Sequence, residues 1–208
     1  MGQPSPHHRL PTDTDDPLLL IISGPSGVGK TTIKSGIERT IPDAVYSVSF
    51  TTRAPTRDDV EGVDYHFVPD AEFDRMKSAN AFLESAGIYG KKYGTPRAWV
   101  MEHLRRGRLV ILEIDIQGAK QVKAKVPDAF ALYILPPDEP TLLDRLRHRR
   151  REDEATIQRR FAEAQSEIKD AQSCGVYDAF LTNRDLPATI TRAVQLIQAE
   201  RARRRGRP

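Results

Sequence analysis

A single cysteine, Cys174, stands in 208 residues, so no internal disulfide can form and a reducing compartment suits the chain. No apolar run approaches the roughly 20 residues that a membrane-crossing helix needs. The start lacks a hydrophobic region after a charged segment, so it does not read as a secretory signal. Residues 1–16 are mostly Pro, His, Asp and Thr, and a disordered tail is expected there. Gly2 alone does not make a myristoylation signal, because Pro6 stands where Ser or Thr is wanted. No internal repeat is visible. The formal net charge is only +3, and Arg201, Arg203, Arg204, Arg205 and Arg207 at one end account for more than all of it. The body is therefore slightly acidic, which argues against a general nucleic-acid binder, although the basic end could touch acidic partners. The arginine-rich end is expected to be a frayed, solvated helix terminus. These absences lead to the expectation of a soluble, cytoplasmic protein.

With 29% charged and 38% hydrophobic residues, the chain has the composition of an ordinary globular domain. Its clearest feature is Gly24-Pro25-Ser26-Gly27-Val28-Gly29-Lys30-Thr31, which fits the phosphate-binding pattern G-x-x-x-x-G-K-[ST]. The context is right. Leu18–Ile22 is an apolar run suited to a buried parallel strand, and Ile33, Ile37 and Ile41 then recur at helical spacing until Pro42. Glycines let successive backbone N–H groups converge on an anion, and the helix N-terminus adds partial positive charge. Lys30 can reach the β- and γ-phosphates, and the Thr31 hydroxyl can hold Mg²⁺. The alternative, a plain glycine turn with a solvated Lys30, leaves the strand–loop–helix context unexplained.

Further along, Tyr46–Phe50 reads as a short strand, Thr51–Val63 as a loop and Tyr65–Val68 as a second strand. Phe73 and Met76 suggest a short helix, and Ala81–Glu84 another extended piece before Gly87, Gly90 and Gly94. Residues 52–96 are thus expected to form an inserted subdomain with a small mixed or antiparallel sheet. Thr95-Pro96 looks like a helix start, with the hydroxyl as cap. Core strands are expected at Leu109–Ile114, running into Asp115, at Phe130–Leu135 and at Ala179–Leu181. Helices fit Ala119–Lys125, Thr141–Arg149, Glu154–Asp170 and a closing segment marked by Ile190, Val194 and Ile197. Strands alternating with helices imply an α/β fold, a parallel sheet wrapped on both faces with its ligand at the strands' C-terminal ends.

These motifs together resemble guanylate kinase from about Leu18 to Arg201. The resemblance rests on the glycine loop, Ser47-Val48-Ser49 with Thr51-Thr52-Arg53, Tyr65, and Phe82-Leu83-Glu84. Tyr93-Gly94-Thr95, Glu113-Ile114-Asp115-Ile116-Gln117-Gly118, Ile134-Leu135-Pro136-Pro137 and Asn183 complete it. It implies a P-loop nucleoside monophosphate kinase that moves the γ-phosphoryl group of ATP to GMP with Mg²⁺. The corresponding division is a tail at 1–16, core at 17–51, 97–139 and 173–208, a GMP-binding insert at 52–96 and a helical lid at 140–172. ATP is implied to bind Gly24 through Thr31, with Thr32 and Asn183. Ser49, Arg53, Arg57, Tyr65, Glu84, Tyr93, Thr95 and Asp115 are implied to bind GMP. Guanine offers N1–H and an amino group side by side, so a carboxylate can accept both, and the resemblance makes Glu84 that carboxylate. Arg53, with Tyr65 and Tyr93, would hold the acceptor phosphate. Either Asp115 or Glu113 would stand near Mg²⁺. Among the arginines of 145–151 and Arg160, the resemblance to the lid favours Arg147, Arg149 and Arg160 as the charges brought to the transferring group, with Lys30 and Arg53 completing the catalytic set.

One stretch departs from the family pattern. Thr56-Arg57-Asp58-Asp59 displaces the second phosphate arginine by one position, and Arg57 is expected to replace it. Two rivals stay open: a related kinase with another small phosphorylated acceptor, and an inactive guanylate-kinase-like module for protein interaction. Intact Glu84 and Ser49 argue against the first, and the complete glycine loop against the second.

Overall fold

The computed structural model describes residues 12–88, 90–149 and 153–206. Strand β1 (Leu18–Ser23) is buried along its whole length, and its residues alternate between two cores. Leu18, Leu20 and Ile22 pack with Ile33 and Ile37 of helix α1 (Lys30–Thr40), while Leu19 and Ile21 face the other way. A strand covered on both faces has no polar side, which is why it reads as an unbroken apolar run.

The expected strand at 46–50 is divided. Ala44–Tyr46 forms β2, and Phe50–Thr51 forms β3 in a different sheet. Ser47–Ser49 therefore crosses from the core to a second layer, and that layer begins before residue 52. It comprises β3, β4 (His66–Phe67), β5 (Phe82–Ile88) and β6 (Lys91–Pro96) in the order β4-β3-β6-β5. Strands β3 and β4 are parallel, whereas β6 runs antiparallel to both β3 and β5, so the sheet is mixed. Helix α2 (Asp70–Ser78) buries Phe73, which stacks on Phe82 at 4.6 Å.

Helix α3 (Arg97–Arg105) follows β6 directly. Thr95 does not cap it: residue 95 is still in the strand, and Pro96 holds the cap position without a side-chain bond. Strand β7 (Leu109–Glu113), helix α4 (Ile116–Lys125) and strand β8 (Phe130–Leu135) continue the core. Helices α5 (Glu139–Arg149) and α6 (Glu154–Ser173) pack through Leu142, Leu146, Ile157 and Ala164. Strand β9 (Ala179–Thr182) and helix α7 (Leu186–Arg205) close the chain. The core sheet has the order β2-β7-β1-β8-β9 with every pairing parallel.

Both ends of the described chain differ from the tail expectations. Residues 12–16 are held: the Thr14 amide donates to Arg106 O at 3.2 Å, and Asp16 pairs with Arg205 at 3.2 Å. Arg201 is not solvated but buried against Asp43, at 2.5 Å. The long α7 packs against α1 and β9 and carries its arginines to Asp16 and Asp43, the carboxylates just before β1 and β2; sequence proximity gives no hint of that. Residues 1–11 and Arg207 lie outside the described residues.

Candidate active site

The glycine loop leaves β1 and enters α1. Gly29 caps the helix at φ 98°, a left-handed conformation that excludes most other residues, and a Cβ there would stand 2.8 Å from the Asn183 amide. Gly24, at φ 150°, is equally constrained, since a Cβ would meet Ile134 O at 2.5 Å. Asn183 is buried and donates to Val28 O at 2.8 Å, so it buttresses the loop from behind. Arg145, which the sequence offered without distinction, donates to Asn183 O at 3.2 Å. Lys30 folds back over the loop, its Nζ donating to Gly24 O at 2.6 Å and Pro25 O at 3.2 Å. Thr31 and Thr32 lie exposed at the start of α1. The Thr31 hydroxyl donates to Glu113 Oε1 at 3.1 Å. Asp115, two residues on, instead caps α4 by accepting from the Gly118 amide at 2.7 Å.

One cavity of about 540 Å³ joins this loop to the second sheet. Its walls include Gly24, Ser26, Gly27, Gly29, Lys30 and Thr31 at one end and Ser49, Tyr65, Glu84 and Tyr93 at the other, with Glu113 and Asp115 between. Glu84 is 3% exposed. Burial, aided by the nearby Asp115 charge, pushes its carboxyl up to about 7, against the Thr95 hydrogen bond and Lys125. Thr95 Oγ1 donates to Glu84 Oε1 at 2.6 Å, which explains why that hydroxyl is not a helix cap. The Tyr65 and Tyr93 rings meet edge to face at 5.6 Å, and burial raises the Tyr65 hydroxyl above its ordinary range.

The loop of 52–64 is organised by Asp59. Its carboxylate takes both arms of the Arg53 fork, at 2.9 and 2.8 Å, and accepts from the Thr56 amide and hydroxyl. The Arg53 guanidinium lies 5.2 Å from the centre of the Tyr65 ring. Arg57 is exposed and has no side-chain bond among the described residues. Of the lid-like arginines, Arg160 reaches the loop and donates to Ser26 Oγ at 2.7 Å. Arg147 is exposed and pairs with Glu154 at 2.6 Å. The side chain of Arg149, with Arg150 and Arg151, lies outside the described residues.

Glu167 also lines the cavity, and sequence reasoning did not single it out. Burial raises its carboxyl, and the Lys30 charge opposes that rise. The available signal was helical: Glu167 follows Arg160 by two turns, so both project from one face of α6 toward the glycine loop.

A parallel α/β core with a glycine loop at the C-terminal end of its first strand, facing a polar cavity, defines a P-loop nucleotide-binding protein. The guanylate kinase family model matches residues 17–200. The guanylate kinase of Anaeromyxobacter dehalogenans is 43% identical over 191 residues, covering 91% of this chain and 84% of that protein. That of Thermobifida fusca is 42% identical over 181 residues, covering 87% and 91%. The crystal structure of guanylate kinase from Anaplasma phagocytophilum superposes with a TM-score of 0.74 at 30% identity, covering 90% of this chain and 88% of that one. The chain belongs to the guanylate kinase family, the ATP:GMP phosphotransferases.

Proposed function

We propose that this protein transfers the γ-phosphoryl group of ATP to GMP, giving ADP and GDP, and that the cavity between the glycine loop and Glu84 holds both substrates. The observation that carries the reading is that one cavity contains a complete phosphate-binding loop and, at its far end, a buried carboxylate. Glu84 accepts from the N1–H and amino group of guanine; adenine, with an acceptor at ring N1, is repelled there. Ser49, Thr95 and Asp115 complete the base site. Tyr65, Tyr93 and Arg53 take the acceptor phosphate; the Arg53 guanidinium lies by the Tyr65 ring and exchanges Asp59 for the phosphate when GMP enters. Arg57 supplies a further cation from the exposed loop.

The loop amides, Lys30, Thr31 and Thr32 hold the polyphosphate, and Asn183 keeps the loop in shape. Mg²⁺ takes few protein oxygens beside phosphate and water. The Thr31 hydroxyl and Glu113 carboxylate, already in contact, are hard oxygen donors that fit it. When bound, Mg²⁺ neutralises charge on the β- and γ-phosphates. An oxygen of the GMP phosphate attacks the γ-phosphorus as the bond to the β-bridging oxygen breaks, and ADP leaves. No base is required, because the second pKa of a phosphate monoester is about 6 and the acceptor is mostly dianionic at neutral pH. Lys30 leaves the loop carbonyls to follow the transferring group, and Arg160, with Arg147 and Arg149 from the lid, adds positive charge. Closure of α5 and α6 excludes water, which would otherwise hydrolyse ATP. We place this reaction in the cytoplasm, where both nucleotides are found.

An ADP-release assay with GMP, AMP, CMP and UMP as acceptors tests the reading. Turnover with GMP far above the others is expected. ADP release that no acceptor stimulates would overturn it.

A further inference from the structure

Three consecutive residues of β5 are held by one stripe of α4. Lys125 Nζ donates to Leu83 O at 2.6 Å. The Gln121 side chain donates to Ser85 O at 2.9 Å and accepts from the Ser85 amide at 3.2 Å. Between these two anchors, Glu84 lays its carboxylate on Gly118. Positions 118, 121 and 125 share a helix face. A Cβ on Gly118 would stand 2.7 Å from Glu84 Oε2, 3.1 Å from its carboxyl carbon and 3.3 Å from Asp115 Oδ1. Gly118 lies within α4, away from the left-handed region, so its backbone does not require glycine. Alanine is the better helix former at such a position. The atoms a methyl group would meet first all belong to the carboxylates of the base site.

We infer that Gly118 is a specificity-determining position: the absence of its Cβ lets the Glu84 carboxylate lie flush on the first turn of α4, at the depth that meets the guanine edge. Gly118 is a positioning residue, acting through Glu84 and touching no reacting atom. The inference rests on the guanylate kinase reading and adds the element that sets base recognition. The groups that must yield to a methyl are the tips of side chains, so Gly118→Ala moves the carboxylate and leaves the fold in place.

The experiment uses the full chain with Gly118→Ala, Glu84→Gln and the double variant, measuring thermal melting and steady-state kinetics with GMP, AMP and ATP. Gly118→Ala is expected to keep its melting temperature or raise it by about 2–4 °C through helix propensity. The KM for ATP stays within about twofold, while the KM for GMP rises and the GMP/AMP preference falls, each by about tenfold, the size of one weakened charge-assisted hydrogen bond. In the Glu84→Gln background the same methyl changes the preference little. An unchanged GMP preference in Gly118→Ala overturns the inference, as does an equal loss in both backgrounds or a lowered melting temperature. A wild-type protein that does not phosphorylate GMP overturns the functional reading instead, and this inference with it.

Discussion

At the loop end of the cavity, one run of eight residues, Gly24 to Thr31, supplies the glycines, the amides, the lysine and the hydroxyl. At the base end, Glu84 comes from β5, Tyr93 and Thr95 from β6, Ser49 and Tyr65 from the residues just before β3 and β4, and Asp115 from the cap of α4. The loop end offers a cation and backbone dipoles, whereas the other end offers a buried carboxyl group. On the proposed reading, an anion in a pocket that takes a phosphorylated base is costly unless the base presents donors to it, so the charge that repels most ligands would also select one. Rigidity differs in kind too. The loop is held by its own backbone geometry and by Asn183, whereas the Glu84 carboxylate is held by a hydrogen bond from Thr95 and lies against Gly118 of a neighbouring helix.

The comparison breaks most sharply at Lys30. Lys30→Ala should lower kcat by at least about a hundredfold, because a charge that stabilises the transferring phosphoryl group is lost. GMP binding, measured separately by calorimetry, should persist, since its site lies at the other end. Near-normal turnover would remove Lys30 from the mechanism.

At the base end, Glu84→Gln keeps the shape but turns one acceptor into a donor. The GMP/AMP preference is expected to fall roughly ten- to a hundredfold, the range for a hydrogen bond to a charged group. A ratio that does not move would show that another residue reads the base.

Protonation sharpens the contrast without mutation. Because burial raises Glu84 to about 7, the ionised form that guanine needs is lost in the free enzyme as pH falls through 7. The kcat/KM for GMP should therefore drop by up to about tenfold per unit below pH 7, and GMP binding at that pH should release protons. Glu84→Gln removes this part of the profile, which separates it from titration of the GMP phosphate itself. The same shift acts oppositely on the fold. A carboxyl with a raised native pKa contributes stability that is complete below about 4.5 and lost as pH rises through 7. Melting temperatures of wild type and Glu84→Gln should diverge over that window.

The smallest effect is expected from Arg57→Ala. Arg57 is exposed and Arg53 already lies beside Tyr65, so the KM for GMP should rise by about tenfold, the lower end for a charge-assisted contact. Thr56→Arg in that background should recover much of the loss. An unchanged KM would leave the phosphate to Arg53, Tyr65 and Tyr93.

The sequence by itself determined what depends on local chemistry. Leu18–Ile22, the glycine loop and the Ile33–Ile37 periodicity sufficed for a strand, an anion site and a helix, because each is built from neighbours along the chain and the parallel core follows from their alternation. The family motifs extended this to the base site as a set of residues. Only the tertiary structure decided what those residues touch. Thr95 looked like a helix cap, yet a long-range carboxylate claims its hydroxyl. Arg201 looked like part of a solvated tail, yet Asp43 buries it from the other end of the chain. Glu167 and Arg145 carried no local mark, since their proximity to the loop follows from how α5 and α6 pack. The physical reason is the same in each case. Propensity, period and glycine geometry act between neighbours in sequence, whereas a hydrogen-bond partner or a buried charge is chosen by whichever elements the fold brings within about 3 Å.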